Sequence, residues 1–499
     1  MSGRYEAFTA LKKKIADLEG AIALLNWDQE TYIPPSGMDF RARQVATLSG
    51  IQHEWLTSAE MEDHLSTLEN DKDLNNEQRQ NINECLKEFR RSKKLSKDFI
   101  EEKSRQVSVC FTKWMQARDS EQYAVFAPEL EKLIALKQEE ARLYGYKDHP
   151  YNALLELYEE ENNIQRLDEL FSGVKTELKE LLDKIQTKDA PDNRFLFQHY
   201  PRQAQWDFSI ELLTNMGYDF SRGRQDYVVH PFCTTISPDD VRVTTKVDES
   251  FLSPLIWGSI HEGGHALYEQ GLPASEYGLP LGQAISMSVH ESQSRIWENN
   301  IGRGEAFWTF HFPEFQKRFP EQSRNITLRS FLKGINRVEP SLIRIEADEL
   351  TYHFHIMIRY ELEKQLIGGF LTTRDLPEAW NTLYKQYLGL SVPNLKEGCL
   401  QDVHWSHGYF GYFPTYSQGS FMAAQWYAAA KKQISGLETQ LSEGKCESML
   451  EWLNTNIHRY GKMYSSKELL ERVTGQPLDV LHFLEYARKK YSDLYSLDS

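Results

Sequence analysis

The chain has little cysteine. Five are scattered over 499 residues, at Cys85, Cys110, Cys233, Cys399 and Cys446. The count is odd and no pair has C-x-x-C spacing. That excludes a disulfide-stapled scaffold and points to free thiols in a reducing compartment. No run of 18 apolar residues occurs, so no membrane-spanning helix is expected. The opening Met1-Ser2-Gly3-Arg4-Tyr5-Glu6-Ala7-Phe8 lacks the apolar core of a signal peptide. These features together indicate the cytoplasm. Basic residues are outnumbered, 57 Lys and Arg against 73 Asp and Glu, for a net charge of −16. With no long basic run, nucleic-acid binding is disfavoured. There is no internal repeat and no low-complexity linker.

What is present suits a large core. Hydrophobic residues make up 40% and aromatics 12% of the chain. A helical enzyme of this size can be one bilobed unit. Helical periodicity dominates. Phe8, Leu11, Ile15, Leu18, Ile22 and Leu25 form a stripe over residues 5–25. Residues 76–111, 126–144 and 167–185 read as further amphipathic helices. The clearest breaks are Tyr32 to Gly37, Lys188 to Asn193 and Leu390 to Asn394. One region is different. Residues 227–236 and 241–247 are rich in β-branched side chains, and Ser237-Pro238-Asp239-Asp240 between them reads as a turn. A hairpin is expected there, and a strand edge in such a place can hydrogen-bond an extended peptide.

The segment that follows carries the chemistry. His261-Glu262-Gly263-Gly264-His265 spells H-E-x-x-H inside a mostly apolar stretch, residues 252–270, with Pro254 suited to an early helical position. On a helix, positions i and i+4 share a face, so both imidazoles can reach one metal ion. Glu262 can then accept a proton from an activated water. Gly263 and Gly264 are weak helix formers, each costing about 1 kcal/mol relative to Ala, and they admit a close neighbour. The longer H-E-x-x-H-x-x-G-x-x-H pattern fails because Tyr268 stands where Gly belongs. The third ligand must lie elsewhere. Glu291 is the best candidate, Glu298 the fallback on the same downstream helical segment, and Glu269 a poor third. His290 points about 100° away from Glu291 on a helix.

Several further segments complete a pattern. They are Leu25 to Thr31, His230-Pro231-Phe232, Asp240 to Thr244, His290 to Gln293, Ile343 to Asp348 and Gly398 to Trp405. In this order, together with the H-E-x-x-H motif, the chain resembles the Taq-type metallocarboxypeptidases, zinc peptidases of bacteria, archaea and some protozoa. The resemblance covers most of the chain. It implies an almost entirely helical, saddle-like fold over residues 1–499, with two lobes around a deep groove. It also implies one catalytic divalent metal, homodimers, and release of single C-terminal residues from unstructured peptides. Zinc is the expected ion, although cobalt and manganese also suit a His₂Glu site.

Within that pattern the remaining roles can be assigned. Glu262 is the candidate general base. The Tyr- and Gly-rich segment 404–416 offers an oxyanion donor, Tyr416 first, then Tyr412 and Tyr409. His230 and His404 are candidates for substrate or transition-state contacts. A terminal carboxylate needs a fixed Arg. Arg344 is preferred over Arg242, and an ion pair of Arg344 with Asp348 at i+4 is the structural alternative. A helical endo-oligopeptidase or dipeptidyl carboxypeptidase, and a scaffold with a vestigial site, are the competing readings.

Overall fold

The computed structural model describes residues 2–228 and 230–497. Helices dominate, as the periodicity predicts. The first stripe lies on a helix spanning Ser2–Thr31, and the 126–144 and 167–185 patterns on Ala127–Tyr144 and Ile164–Gln186. The expected helix over 76–111 is instead two, Asn76–Ser92 and Lys97–Ser120. The cause is a cap: the Ser96 hydroxyl accepts from Phe99 N at 3.2 Å and starts a new helix.

One large buried core runs through most of the chain after the N-terminal helices, and a small second cluster lies among the first helices. Phe8, Ile15, Met61, Leu65, Ile82 and Phe89 belong to that second cluster. Among the described residues, no helix is long and apolar enough to cross a membrane.

Among the described residues the sheet has three strands, β1 (Gln225–Tyr227), β2 (Cys233–Ser237) and β3 (Asp240–Thr245), in the order β1-β3-β2. β2 and β3 form the expected hairpin, with Cys233 opposite Val243 and Thr235 opposite Val241. The strand expected over 227–236 is divided. Tyr227 belongs to β1, which runs parallel to β3. Pro231 between them has no N–H to give a ladder. Two side-chain bonds fasten the sheet to the helix that carries the motif, Ser253–Gly271. Thr245 and Ser259 hydroxyls meet at 2.9 Å, and Thr235 Oγ1 donates to Glu269 Oε2 at 2.9 Å.

The motif helix is buried on most of its circumference, Leu255, Ile256, Trp257, Ile260, Leu267 and Tyr268 being among its buried side chains. Its glycines let neighbours in. A Cβ on Gly264 would stand 2.7 Å from both Gln293 O and Ser294 Cα, backbone atoms of the helix Met287–Arg295. A Cβ on Gly263 would meet only side-chain ends, Leu213 Cδ2 and Met216 Cε. Backbone cannot step aside as a methyl can, and overpacking costs about 1–3 kcal/mol. Gly264→Ala is therefore expected to lower the urea midpoint of unfolding well below that of Gly263→Ala. Equal midpoints would show that the two helices separate freely.

Candidate metal centre

Helical geometry sets His261 and His265 one turn apart on one face of the motif helix. The helix Met287–Arg295 brings the third group. It begins at Ser286, whose hydroxyl accepts from Val289 N at 3.2 Å, and it crosses closely at Gly264. Gly419, on the helix Pro414–Gln433, leaves room for the Glu291 side chain: a Cβ there would lie 2.7 Å from Glu291 Cβ and Cγ. Glu291 Oε2 consequently stands 3.7 Å from His261 Nε2 and 3.5 Å from His265 Nε2. Ligand atoms of the three residues lie within 4.8 Å of one another. Two imidazole nitrogens and a carboxylate oxygen at this spacing fit a divalent ion with a position left open.

The other polar atoms of these side chains are occupied. His261 Nδ1 is 2.8 Å from Glu298 Oε2. His265 Nδ1 is 2.6 Å from His290 Nδ1. Glu291 Oε1 accepts from Arg295 Nε at 2.6 Å and Oε2 from Ser294 Oγ at 3.1 Å. Each Nε2 is thereby left facing the common point. Burial works against a charge on His261, but the Glu291 and Glu298 carboxylates outweigh it and lift the imidazole to about 8. Burial, with His290 adding to it, takes His265 down to about 3. Burial also opposes the Glu291 charge, yet Arg295 and His261 hold that carboxyl far below its usual range. Glu262 differs. Among the described residues its carboxylate accepts no hydrogen bond. Burial pushes it up to about 7, against the pull of His261 and with the push of Glu291.

The remaining candidates are spread over four surrounding segments. Tyr416 OH is 3.2 Å from His404 Nε2. Tyr412 packs edge-on against both Tyr416 and Tyr158, ring centroids 5.2 Å apart in each pair, whereas Tyr409 is exposed. The Tyr416 phenol is pushed well up by burial, and burial with the Arg344 charge takes His404 down to about 3. Arg344 sits on a short 3₁₀ turn, not a long helix, and is buried. Its ion-pair partner is Asp402, at 2.9 Å, and not Asp348, the partner in the structural alternative. Asp348 instead accepts from Leu350 N, Thr351 N and Thr351 Oγ1, knotting the loop before the helix Tyr352–Ile367. Arg344 NH1 reaches Tyr352 OH at 3.3 Å, and the guanidinium lies 5.2 Å from the Tyr416 ring. Arg242 is committed at both nitrogens of one edge to Asp240, 2.8 Å each, and stacks on Trp27 at 4.3 Å. His230 is exposed on the segment between β1 and β2. The next residue, Pro231, brings its Cγ 3.9 Å from a Cβ position on Gly258 of the motif helix.

Three contributions escaped the sequence reading. Glu298 is a partner of His261 and no ligand in this geometry; it rides on a π-helical segment, Ile296–Ile301, a form frequent at functional sites. Arg295 braces both Glu291 and Glu298, the latter at 3.1 Å. Its i+4 spacing from Glu291 was the available signal. Arg359, fully buried, clamps Asp402 Oδ2 at 2.6 Å from the side opposite Arg344. Nothing in the local sequence announced that pairing.

Comparison with known proteins accords with this geometry. A family described as carboxypeptidase Taq (M32) metallopeptidase matches residues 7–491. Thermostable carboxypeptidase 1 of Thermus thermophilus is 39% identical over 98% of this chain and 99% of that protein. The structure of CHT superposes with a TM-score of 0.96 at 50% identity, over 98% of this chain and 99% of the other. An M32 carboxypeptidase crystal structure from Deinococcus radiodurans R1 gives a TM-score of 0.97 at 36% identity, over 99% and 100%. The chain belongs to the carboxypeptidase Taq (M32) family of metallopeptidases.

Proposed function

We propose that the enzyme removes single C-terminal residues from short, unstructured peptides, using one ion held by His261, His265 and Glu291. The observation that carries this is the convergence of those three donors beside a buried carboxylate, Glu262, that has no hydrogen-bond partner among the described residues. Zinc is the expected ion, and cobalt or manganese would fit the same donors. When bound, the cation acts as a Lewis acid on the scissile carbonyl and makes a water acidic enough to lose a proton near neutral pH. Glu262 accepts that proton and returns it to the departing amine. Tyr416, oriented by His404, offers its phenol to the developing oxyanion. His230, on the exposed segment beside the motif helix, is assigned to contact the incoming chain. β2 is an outer strand of the sheet, with the helix Ser2–Thr31 packed on it at Gly20, and the rest of such an edge can hydrogen-bond the peptide backbone.

Arg344 is assigned the terminal carboxylate, with Arg242 second. One edge of the Arg344 fork is fixed by Asp402, which leaves NH1 on the Tyr352 side for a ligand. The five cysteines are free, in keeping with a reducing, cytoplasmic setting. Homodimerisation belongs to the proposal on the family resemblance.

Two substitutions separate binding from chemistry. Glu262→Gln should keep one zinc per chain and lose nearly all turnover, because an amide cannot accept the proton. Glu291→Ala should lose the zinc itself, read by elemental analysis after dialysis. A Glu291→Ala protein that retains a full equivalent would place the third ligand elsewhere.

Arg344→Ala should impair free-carboxylate substrates far more than C-terminally amidated ones. Lost charge-assisted hydrogen bonds are worth about 1.5–3 kcal/mol, or roughly ten- to a hundredfold in kcat/KM. Arg359 still holds Asp402 in that variant, so the fold should survive. Equal losses on both substrates would assign Arg344 to structure and turn attention to Arg242.

A mass-resolved time course on a peptide of about ten residues tests the reaction as a whole. The expected ladder falls one residue per step from the C-terminus and stalls where Pro becomes terminal, since its ring removes the N–H and fixes the backbone. Internal cuts, or steps of two residues, would replace this reading with an oligopeptidase or dipeptidyl carboxypeptidase.

A further inference from the structure

The two motif imidazoles are held in different ways. His261 gives its Nδ1 directly to a carboxylate, Glu298, at 2.8 Å. Among the described residues, no carboxylate stands on His265 Nδ1. The ring of His290 stands there instead, Nδ1 to Nδ1 at 2.6 Å, with ring centroids 4.5 Å apart. The far nitrogen of His290, Nε2, lies 2.9 Å from Glu269 Oε1. Glu269 Oε2 in turn accepts from Thr235 Oγ1, on β2, at 2.9 Å. Four side chains from three elements thus form a single line ending at a ligand.

The direction of every bond in the line follows from one requirement. His265 must keep Nε2 bare to act as a ligand, so its proton sits on Nδ1. His290 must then accept at Nδ1 and carry its own proton on Nε2. That proton points at Glu269, a carboxylate, which can only accept. Glu269 is half-buried on the motif helix itself, one turn beyond His265, and the Thr235 hydroxyl fixes its rotamer from the sheet. A ligand imidazole whose second nitrogen is held this way is fixed in tautomer and in ring orientation.

We propose that His290 and Glu269, anchored by Thr235, are positioning residues for His265, a relayed counterpart of the direct Glu298–His261 pair. This rests on the reading of His261, His265 and Glu291 as the ligands. His290, adjacent to Glu291 in sequence, thereby gains a role distinct from ligation. It also links the metal site to β2, the outer strand of the sheet.

The test is zinc affinity of the full-length protein by chelator competition, together with thermal unfolding of the metal-free protein. His290→Phe keeps ring packing against His265 and Tyr268 but removes the acceptor, and should weaken zinc binding about ten- to a hundredfold. His290→Asn, whose Oδ1 falls near the original Nδ1, should recover part of that loss. Glu269→Gln should weaken zinc less than Glu269→Ala, and Thr235→Val least of the set. The metal-free unfolding temperatures should stay close to wild type, since the relay acts on the ligand. Substituted with Co²⁺, His290→Phe should show a shifted visible spectrum. His290→Phe and Glu269→Ala both binding zinc as wild type does would overturn the proposal. So would His290→Asn as weak as His290→Phe, because an acceptor restored without any recovery of affinity would mean that the acceptor is not what holds His265. If His265→Ala itself left zinc affinity unchanged, the ligand assignment would fall instead, and that result is distinct from either of the others.

Discussion

The centre depends on one constraint: three donor atoms must face a single point while every other polar atom on those side chains is satisfied. Buried polar groups without partners are costly, and an imidazole with two free nitrogens can turn either toward a metal. Here Glu298 and His290 take the Nδ1 atoms. Arg295 and Ser294 hold the Glu291 carboxylate. Close backbone approach at Gly264 and Gly419 is what brings these partners into range. The glycines therefore shape the proposed metal site through close packing alone.

The second constraint is charge. Asp402 lies between Arg344 and Arg359, all three buried or nearly so. Removing such groups from water is expensive, and the mutual attraction only roughly offsets it. What the arrangement secures is placement. Gln401 accepts from Arg344 N and from Arg359 NH2, so backbone and side chain are registered together. The same logic recurs near the N-terminus, where Arg242 is fixed between Asp240 and the face of Trp27. Segments far apart in the chain meet in each case, residues 25–31 with 240–244 and residues 343–348 with 398–405.

That long-range pairing marks the boundary of what the sequence made legible. His261 and His265 could be read because helical spacing puts i and i+4 on one face. Glu291 could be proposed because the longer motif fails at Tyr268. The β2–β3 hairpin was visible in its β-branched runs and its turn. The parallel β1 was not, since a parallel neighbour has no local turn to reveal it. Asp402 as the partner of Arg344 was equally hidden, because a local i+4 carboxylate, Asp348, offered a plausible alternative. The break at Ser96 was available in principle, as a capping Ser before Lys97-Asp98, and was obscured by continuous amphipathicity on either side.

The carboxylates around the centre differ in one respect that bears on their roles. Glu291, Glu298 and Glu269 each hold a hydrogen bond to Arg, Thr or His. A carboxylate so engaged is a poor proton acceptor, because its charge is already stabilised. Glu262 stands among them, on the same helix as both motif histidines, with its lone pairs uncommitted among the described residues. A general base needs vacant lone pairs and a pKa close to the working pH. A ligand or an anchor needs the opposite. The fold thus supplies three of four neighbouring glutamates with donors and leaves Glu262 without one among the described residues, which is what its proposed role as general base requires.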